Sequence, residues 1–176
     1  MKTSAMQKPE TWASGETASV GRLSPDLSLE QVLETAMAFE AAAHRLYSEL
    51  ADKVREEIRP LVSDLAAEEK RHYEQLHRLA RNEDLAEYLL TRIATPPTAP
   101  AFDAFVQIPE LREDPIEEDV LEYASQRERI AYEHYGYLAE TTPSGPVQAL
   151  FQLLRDEEIG HISALQAREL ELLSIL

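Results

Sequence analysis

Glu69-Lys70-Arg71-His72 and Glu158-Ile159-Gly160-His161 decide how this chain reads, because each is one half of a longer repeat. Val32-Leu33-Glu34-Thr35-Ala36 leads into Glu40. Val120-Leu121-Glu122-Tyr123-Ala124 leads into Glu128 at the same spacing. Tyr47 and Tyr135 follow at equal offsets, and then Leu50-Ala51-Asp52 and Leu138-Ala139-Glu140. The pattern describes a duplicated helical hairpin. It would carry Glu40, Glu69, Glu128 and Glu158, with His72 and His161, to one buried point.

The apolar spacing supports helices around these residues. Ser28 is placed as an N-cap, with Gln31 in the capping-box position. Leu29, Val32, Ala36, Glu40, Ala43, Tyr47, Leu50 and Val54 then recur at steps of three and four, a face turned to a core. A second helix, from about Glu57 to about Asn82, has Pro60 in its first turn, where the missing N–H is not needed. Its inward stripe is Ile58, Val62, Leu65, Glu69, His72, Leu76 and Leu79. A third, from about Ile116 to Ala139, turns in Leu121, Ala124, Glu128, Ala131, Tyr135 and Leu138. Thr141 to Pro146 is a turn cluster, and the fourth helix then presents Val147, Phe151, Leu154, Glu158, His161 and Leu165. In each helix, acid or imidazole interrupts an otherwise apolar seam.

Short connections make the first and second helices antiparallel neighbours, and likewise the third and fourth. Between the pairs the pattern fades. A short helical piece at Leu85 to Ile93 is expected, and Pro96, Pro97, Pro100, Pro109 and Pro115 rule out a long helix. The expectation is an all-α fold: a four-helix bundle of ferritin-like topology. Its hairpins cover about 28–90 and 117–174, joined by a crossover at about 91–116. Residues 1–27, rich in Ser, Thr, Gly and Pro and holding the lone Trp12, read as a mobile tail preceding a 28–176 domain.

Bulk composition narrows the function. The 176 residues suffice for one domain with a real core. The formal net charge of −16 disfavours nucleic acid, whose phosphates call for Lys and Arg. No run of about 18 apolar residues suggests a bilayer span, and no apolar signal segment opens the chain. There are no cysteines, so disulfides and Cys-ligated metal centres are excluded within it. These features fit a cytoplasmic protein.

Glu and His three apart on a helix project from one side. Carboxylate and imidazole together suit iron or manganese, and also zinc. One Glu from each of two helices plus Glu-x-x-His from each of the other two is the donor set of di-iron bundles. Glu40 and Glu128 supply the single residues; Glu69 with His72, and Glu158 with His161, supply the pairs. Four carboxylates buried without a cation would take up protons instead of ionising. No Lys or Arg is read as sharing the stripe beside Glu40 or Glu128. Glu74 and His77 also fit the spacing but lie off the stripe, on the solvated face. Glu68 and Glu157, next to proposed ligands, are expected to face outward. So are Glu34 and Glu122. His44 and His134 read as surface residues, and Tyr47 and Tyr135 as core packing beside the site.

On Phe39-Glu40, Ala67-Glu68-Glu69-Lys70-Arg71-His72-Tyr73, Gln126-Arg127-Glu128 and Asp156-Glu157-Glu158-Ile159-Gly160-His161, the chain resembles the rubrerythrin-like branch of the ferritin-like superfamily. The resemblance covers about 28–90 and 117–172. It implies a non-haem di-iron centre with terminal carboxylates at Glu40 and Glu128, bridging carboxylates at Glu69 and Glu158, and terminal imidazoles at His72 and His161. It further implies an oxidoreductase that oxidises Fe(II) with O2 or hydrogen peroxide, as ferroxidase or peroxidase. An iron-binding or storage protein, or a metal-free helical scaffold, stands as the alternative. Rubrerythrins usually carry a rubredoxin domain with four Cys. This chain has none, so a separate electron donor is expected, together with a homodimer. Typical members also place an extra Glu one turn after the third-helix ligand, where this chain has Ala131. That leaves a symmetric six-ligand site.

Overall fold

A computed structural model describes residues 26–106 and 115–175. The proposed tail with Trp12 falls almost wholly outside the described residues. Its last two residues do not: Asp26–Ser28 form strand β1, paired antiparallel with strand β2, Arg92–Ala94, in the register Leu27 opposite Ile93. Residues 26 and 27, expected to belong to the tail, are thereby paired with the crossover.

Ser28 then caps helix α1, Leu29–Ala51. Its hydroxyl accepts from the Gln31 backbone N–H at 3.2 Å, and the Gln31 side chain accepts from the Ser28 N–H at 3.0 Å. Two orphan donors of the first turn are satisfied reciprocally. Helix α2 spans Arg59–Ala80 and carries a proline in its opening turn. The crossover holds a 3-10 turn at Glu83–Leu85, a single helical turn α3 at Ala86–Leu89, β2, and helix α4 at Ala99–Ala104. The helical piece expected to reach Ile93 thus stops at Leu89, and Ile93 sits in the strand, where it is buried. Helix α5, Glu117–Thr141, opens on Glu117, Glu118 and Asp119, the sign that the helix N-terminus favours. Helix α6 runs Pro146–Ile175.

Helices α1 and α2 form one hairpin and α5 and α6 the other, as the all-α bundle requires. The anticipated stripes all point inward, except that Leu79 is only half-buried. The apolar core is split in two by the polar middle of the helices. On one side lie Leu29, Leu33, Phe39, Leu76, Phe102, Tyr135, Phe151 and Leu154. On the other lie Leu46, Tyr47, Ile58, Val62, Leu65, Leu121 and Leu165. No described helix is long and apolar enough to cross a membrane.

The crossover is more than a connector, because α4 drives Phe102 into the core. Phe102 stacks on Phe39 with ring centroids 3.7 Å apart, and on its other face on His134 at 3.8 Å. His134 is therefore not a surface residue. It is 4 % exposed, and its Nδ1 pairs with the Thr98 hydroxyl at 2.7 Å. His44 is half-buried, with Nδ1 2.8 Å from the Ala66 carbonyl oxygen.

Burial pushes the His134 imidazole down to about 4 from an ordinary 6.5. Between those values the unfolded chain binds a proton that the folded chain refuses, so stability falls as pH drops through this window. Urea unfolding of chelator-treated protein at about pH 7 and about pH 5 should show His134→Gln removing ~2 kcal/mol of the pH dependence. An unchanged difference between the two pH values would mean that His134 titrates normally.

Candidate metal centre

The polar middle of the bundle is built by four helices contributing one or two residues each. Glu40 comes from α1, Glu69 and His72 from α2, Glu128 from α5, and Glu158 and His161 from α6. Five of these are fully buried and His161 is 6 % exposed. They fall into two triads, Glu40–His72–Glu158 and Glu69–Glu128–His161. In each, one ligand atom per residue lies within 4.8 Å of the others. Each triad draws on both hairpins, so neither exists until the hairpins dock.

Both imidazoles aim Nδ1 at the centre. His72 Nδ1 is 3.6 Å from Glu69 Oε2 and 3.7 Å from Glu158 Oε1. Those three atoms are buried and have no hydrogen-bond partner. Buried polar groups are rarely left so. The spacing is too long for hydrogen bonds but near the ~3–3.5 Å that separates donors bound ~2.1 Å from one ion. His161 Nδ1 is 2.9 Å from Glu158 Oε2 and 3.4 Å from Glu128 Oε2. Oxygen and imidazole donors of this kind fit iron, manganese or zinc.

The supporting contacts cross between the hairpins in matched pairs. The Tyr47 hydroxyl on α1 donates to Glu128 Oε1 on α5 at 2.9 Å. The Tyr135 hydroxyl on α5 donates to Glu40 Oε1 on α1. The tyrosines are thus hydrogen-bonding partners of the site as well as core packing. The outer nitrogens repeat the exchange: His72 Nε2 meets Glu157 Oε2 of α6 at 3.0 Å, and His161 Nε2 meets Glu68 Oε2 of α2. Glu68 and Glu157 consequently do not face plainly outward, as a helix neighbour of a buried residue ordinarily would. They are partly exposed, yet each fixes an imidazole of the opposite hairpin, with Arg71 bridging to Glu157 at 3.0 Å. Glu34, Glu122, Glu74 and His77 are exposed, as expected.

One functional residue was missed. Arg127, preceding Glu128, is completely buried. Its guanidinium donates to Glu69 Oε1 at 3.1 Å, Glu40 Oε2 at 3.2 Å, Glu128 Oε1 at 3.4 Å and the Phe39 carbonyl at 3.3 Å. The centre therefore contains a cation of its own, and the reading of stripes free of Lys and Arg is corrected. The signal was present in the helix phase: Arg127 lies three residues after Ala124 and four before Ala131, both on the buried stripe.

Solvent approaches from the α2–α6 side. A cavity of about 590 Å³ lies there, lined by Glu68, Arg71, Glu157, Gly160 and His161 among others. A Cβ added at Gly160 would meet nothing within 4 Å. Where the first hairpin has Arg71, the second leaves open space.

The family model for rubrerythrin matches residues 31–169. The chain belongs to the rubrerythrin family. Among solved structures it is similar to a protein from Thermotoga maritima described as ferritin-like and diiron-carboxylate. The identity is 21 % and the TM-score 0.64, over 81 % of this chain and 94 % of that one. It is also similar to a hypothetical protein from Pyrococcus furiosus, at 25 % identity and a TM-score of 0.60, over 84 % of this chain and 92 % of that one. No curated protein matches it. Membership of this family carries with it a non-haem iron site, for which the two triads are the candidate ligands.

Within the protein's own charges, the rubrerythrin-family centre divides its carboxylates. Burial pushes Glu40 well above the usual range, helped by the charge of Glu69; burial and the charge of Glu128 do the same for Glu158. Glu69 goes the other way. Burial opposes it, but the charge of Arg127 and the nearby Glu40 and His72 hold it low. Against burial, the bond to Glu157 and the nearby Glu69 carboxylate raise His72 to about 11, and Glu128 and Glu158 raise His161 to about 12. Ligation needs deprotonated donors, so binding a divalent ion should expel protons. Calorimetry in buffers of different ionisation enthalpy should register that release.

Glu157→Gln and Glu68→Gln remove the partners of the two outer nitrogens without emptying space. Each should weaken Mn(II) binding by ~10–100-fold in a calorimetric titration. Wild-type affinity in both variants would show that these contacts do not orient the imidazoles.

Proposed function

We propose that the chain is a non-haem di-iron oxidoreductase of ferroxidase or peroxidase type, using O2 or hydrogen peroxide as oxidant in defence against oxidative stress. The observation that carries this reading is the convergence of Glu69 Oε2, His72 Nδ1 and Glu158 Oε1, buried and unpartnered, inside a set of four carboxylates and two imidazoles. Two bound iron ions would supply the electrons that reduce the oxidant. Glu40, Glu69, His72, Glu128, Glu158 and His161 are the residues that would hold them.

The remaining residues act on these six. Tyr47 and Tyr135 hold Glu128 and Glu40 in place through their hydroxyls. Glu157 and Glu68 keep Nδ1 of each imidazole turned inward. Leu65 and Leu76 on α2, and Leu154 and Leu165 on α6, are buried about one turn to either side of the two Glu-x-x-His pairs. The α2–α6 cavity gives a small oxidant a way to reach His161. A separate electron donor is part of the proposal. A cytoplasmic homodimer completes the proposal.

Ala131 favours a second reading, iron binding or storage without turnover. It is fully buried on the stripe one turn after Glu128 and has no donor to offer.

The test begins with anaerobic protein given two equivalents of Fe(II), then hydrogen peroxide. Each peroxide consumed should oxidise two Fe(II) to Fe(III), taking up two protons and releasing two waters. Reduction and renewed peroxide should repeat the cycle, and Glu69→Ala/Glu158→Ala should abolish it. Oxidation followed by release of Fe(III), or accumulation of many irons per chain, would favour storage. An unchanged melting temperature with Fe(II) or Mn(II) would leave a metal-free scaffold.

A further inference from the structure

Arg127 is a fully enclosed cation inside the polar layer, and both triads share it. Its terminal nitrogens donate to Glu40 Oε2 in one triad and to Glu69 Oε1 and Glu128 Oε1 in the other. Its third nitrogen, Nε, is buried without a partner, although buried donors are ordinarily satisfied. The guanidinium is also anchored. Its carbon lies 4.0 Å from the Phe39 ring centroid, and Nη2 donates to the Phe39 carbonyl at 3.3 Å. Phe102 stacks on the other face of that ring. A charge held in this way stays in the layer when ions enter.

Charge then decides what else the layer accepts. Two divalent ions would balance the four carboxylates, and ligating imidazoles are neutral. Arg127 adds one further positive charge, so the loaded layer carries a surplus. Outside it, Glu68 and Glu157 hold the outer nitrogens, and Arg71 lies 3.8 Å from the first and 3.0 Å from the second. That leaves a single negative charge at the edge of the site. All three of these side chains reach solvent, which screens them. The surplus on the buried layer is screened far less, and it calls for a negative ligand inside.

We propose that Arg127 sets the ligand preference of the loaded centre, raising its affinity for a small monoanion while lowering its affinity for metal. Before loading, the guanidinium occupies Glu40, Glu69 and Glu128 and competes with incoming cations at both positions alike. After loading, the same charge holds an anion beside the ions. Hydroperoxide belongs to that class of ligand, and azide is an unreactive member of the same size. This rests on the reading of the site as a two-metal centre and adds to it a residue that selects the charge of what binds there.

Two calorimetric titrations of the full chain test it: Mn(II) into chelator-treated protein, then azide into protein holding two Mn(II). Arg127→Gln should tighten Mn(II) binding and weaken azide binding, each by at least ~10-fold, as a unit charge a few ångströms away requires even at a high effective dielectric. The opposite signs separate a charge effect from damage to the fold, which would weaken both. Arg127→Lys keeps the charge but loses the planar fork. It should stay closer to wild type than to Arg127→Gln in both constants. If Arg127→Gln folds only with metal, azide is titrated into the loaded variant and its Mn(II) affinity is read by competition with a chelator of known strength. Equal azide affinity in wild type and Arg127→Gln would overturn the proposal while leaving the two-metal reading intact. So would the absence of azide binding to wild type with two Mn(II) in place, a loss of both affinities in Arg127→Gln, or Arg127→Lys behaving as Arg127→Gln does. No Mn(II) binding at all would overturn both.

Discussion

Four carboxylates shut away from water are stable only beside positive charge, and the rest of this bundle follows from where that charge is placed. Transfer of each ion from water carries an effective penalty of several kcal/mol even after the protein relaxes. Protons meet part of the demand, on Glu40 and Glu158, where burial holds the acid form. Arg127 meets another part, and His72 and His161 a third. All of these are protein groups arranged around a volume that divalent ions would share with them.

The duplication explains how most polar atoms of such a layer find partners, leaving Glu69 Oε2, His72 Nδ1 and Glu158 Oε1 unpaired at its centre. Each hairpin alone would bury one single Glu and one Glu-x-x-His pair with nothing opposite them. Docking exchanges partners, since Tyr47 reaches Glu128 and Tyr135 reaches Glu40. Glu157 reaches His72 and Glu68 reaches His161. Specificity of docking is thereby tied to the polar layer, while the two apolar clusters on either side supply the burial that drives it. The asymmetric pair, Phe39 and Arg127, sits where the two copies meet, as does the stacked pair His72 and His161.

The helices and the convergence of the six candidate donors were legible because a 3.6-residue period places Glu40, Glu69, Glu128 and Glu158 in line with Leu, Val and Ala, where a solvated acid would not stand. Family membership agrees with what the motifs implied. What escaped the sequence were contacts set by neighbouring helices. Arg127 was overlooked because it adjoins Glu128, and adjacent helical residues point about 100° apart. A long side chain on the flank of the stripe still reaches the centre. Glu68 and Glu157 flank the stripe in the same way, and the opposite hairpin brings an imidazole to each. His134 is buried by Phe102 of α4, a helix inside a proline-rich stretch whose period carried no sign of it. Asp26 and Leu27 look like tail residues alone and become a strand only because β2 lies alongside.

Two metal ions held between α1, α2, α5 and α6 by donors from both hairpins are the core of the proposed function. Anomalous diffraction from crystals grown with Mn(II) addresses it directly. Two peaks about 3.5–4 Å apart are expected, flanked by Glu69 and Glu158, with His72 nearer one and His161 nearer the other. Peaks confined to the acidic surface, with the six donors paired only among themselves and Arg127, would contradict it.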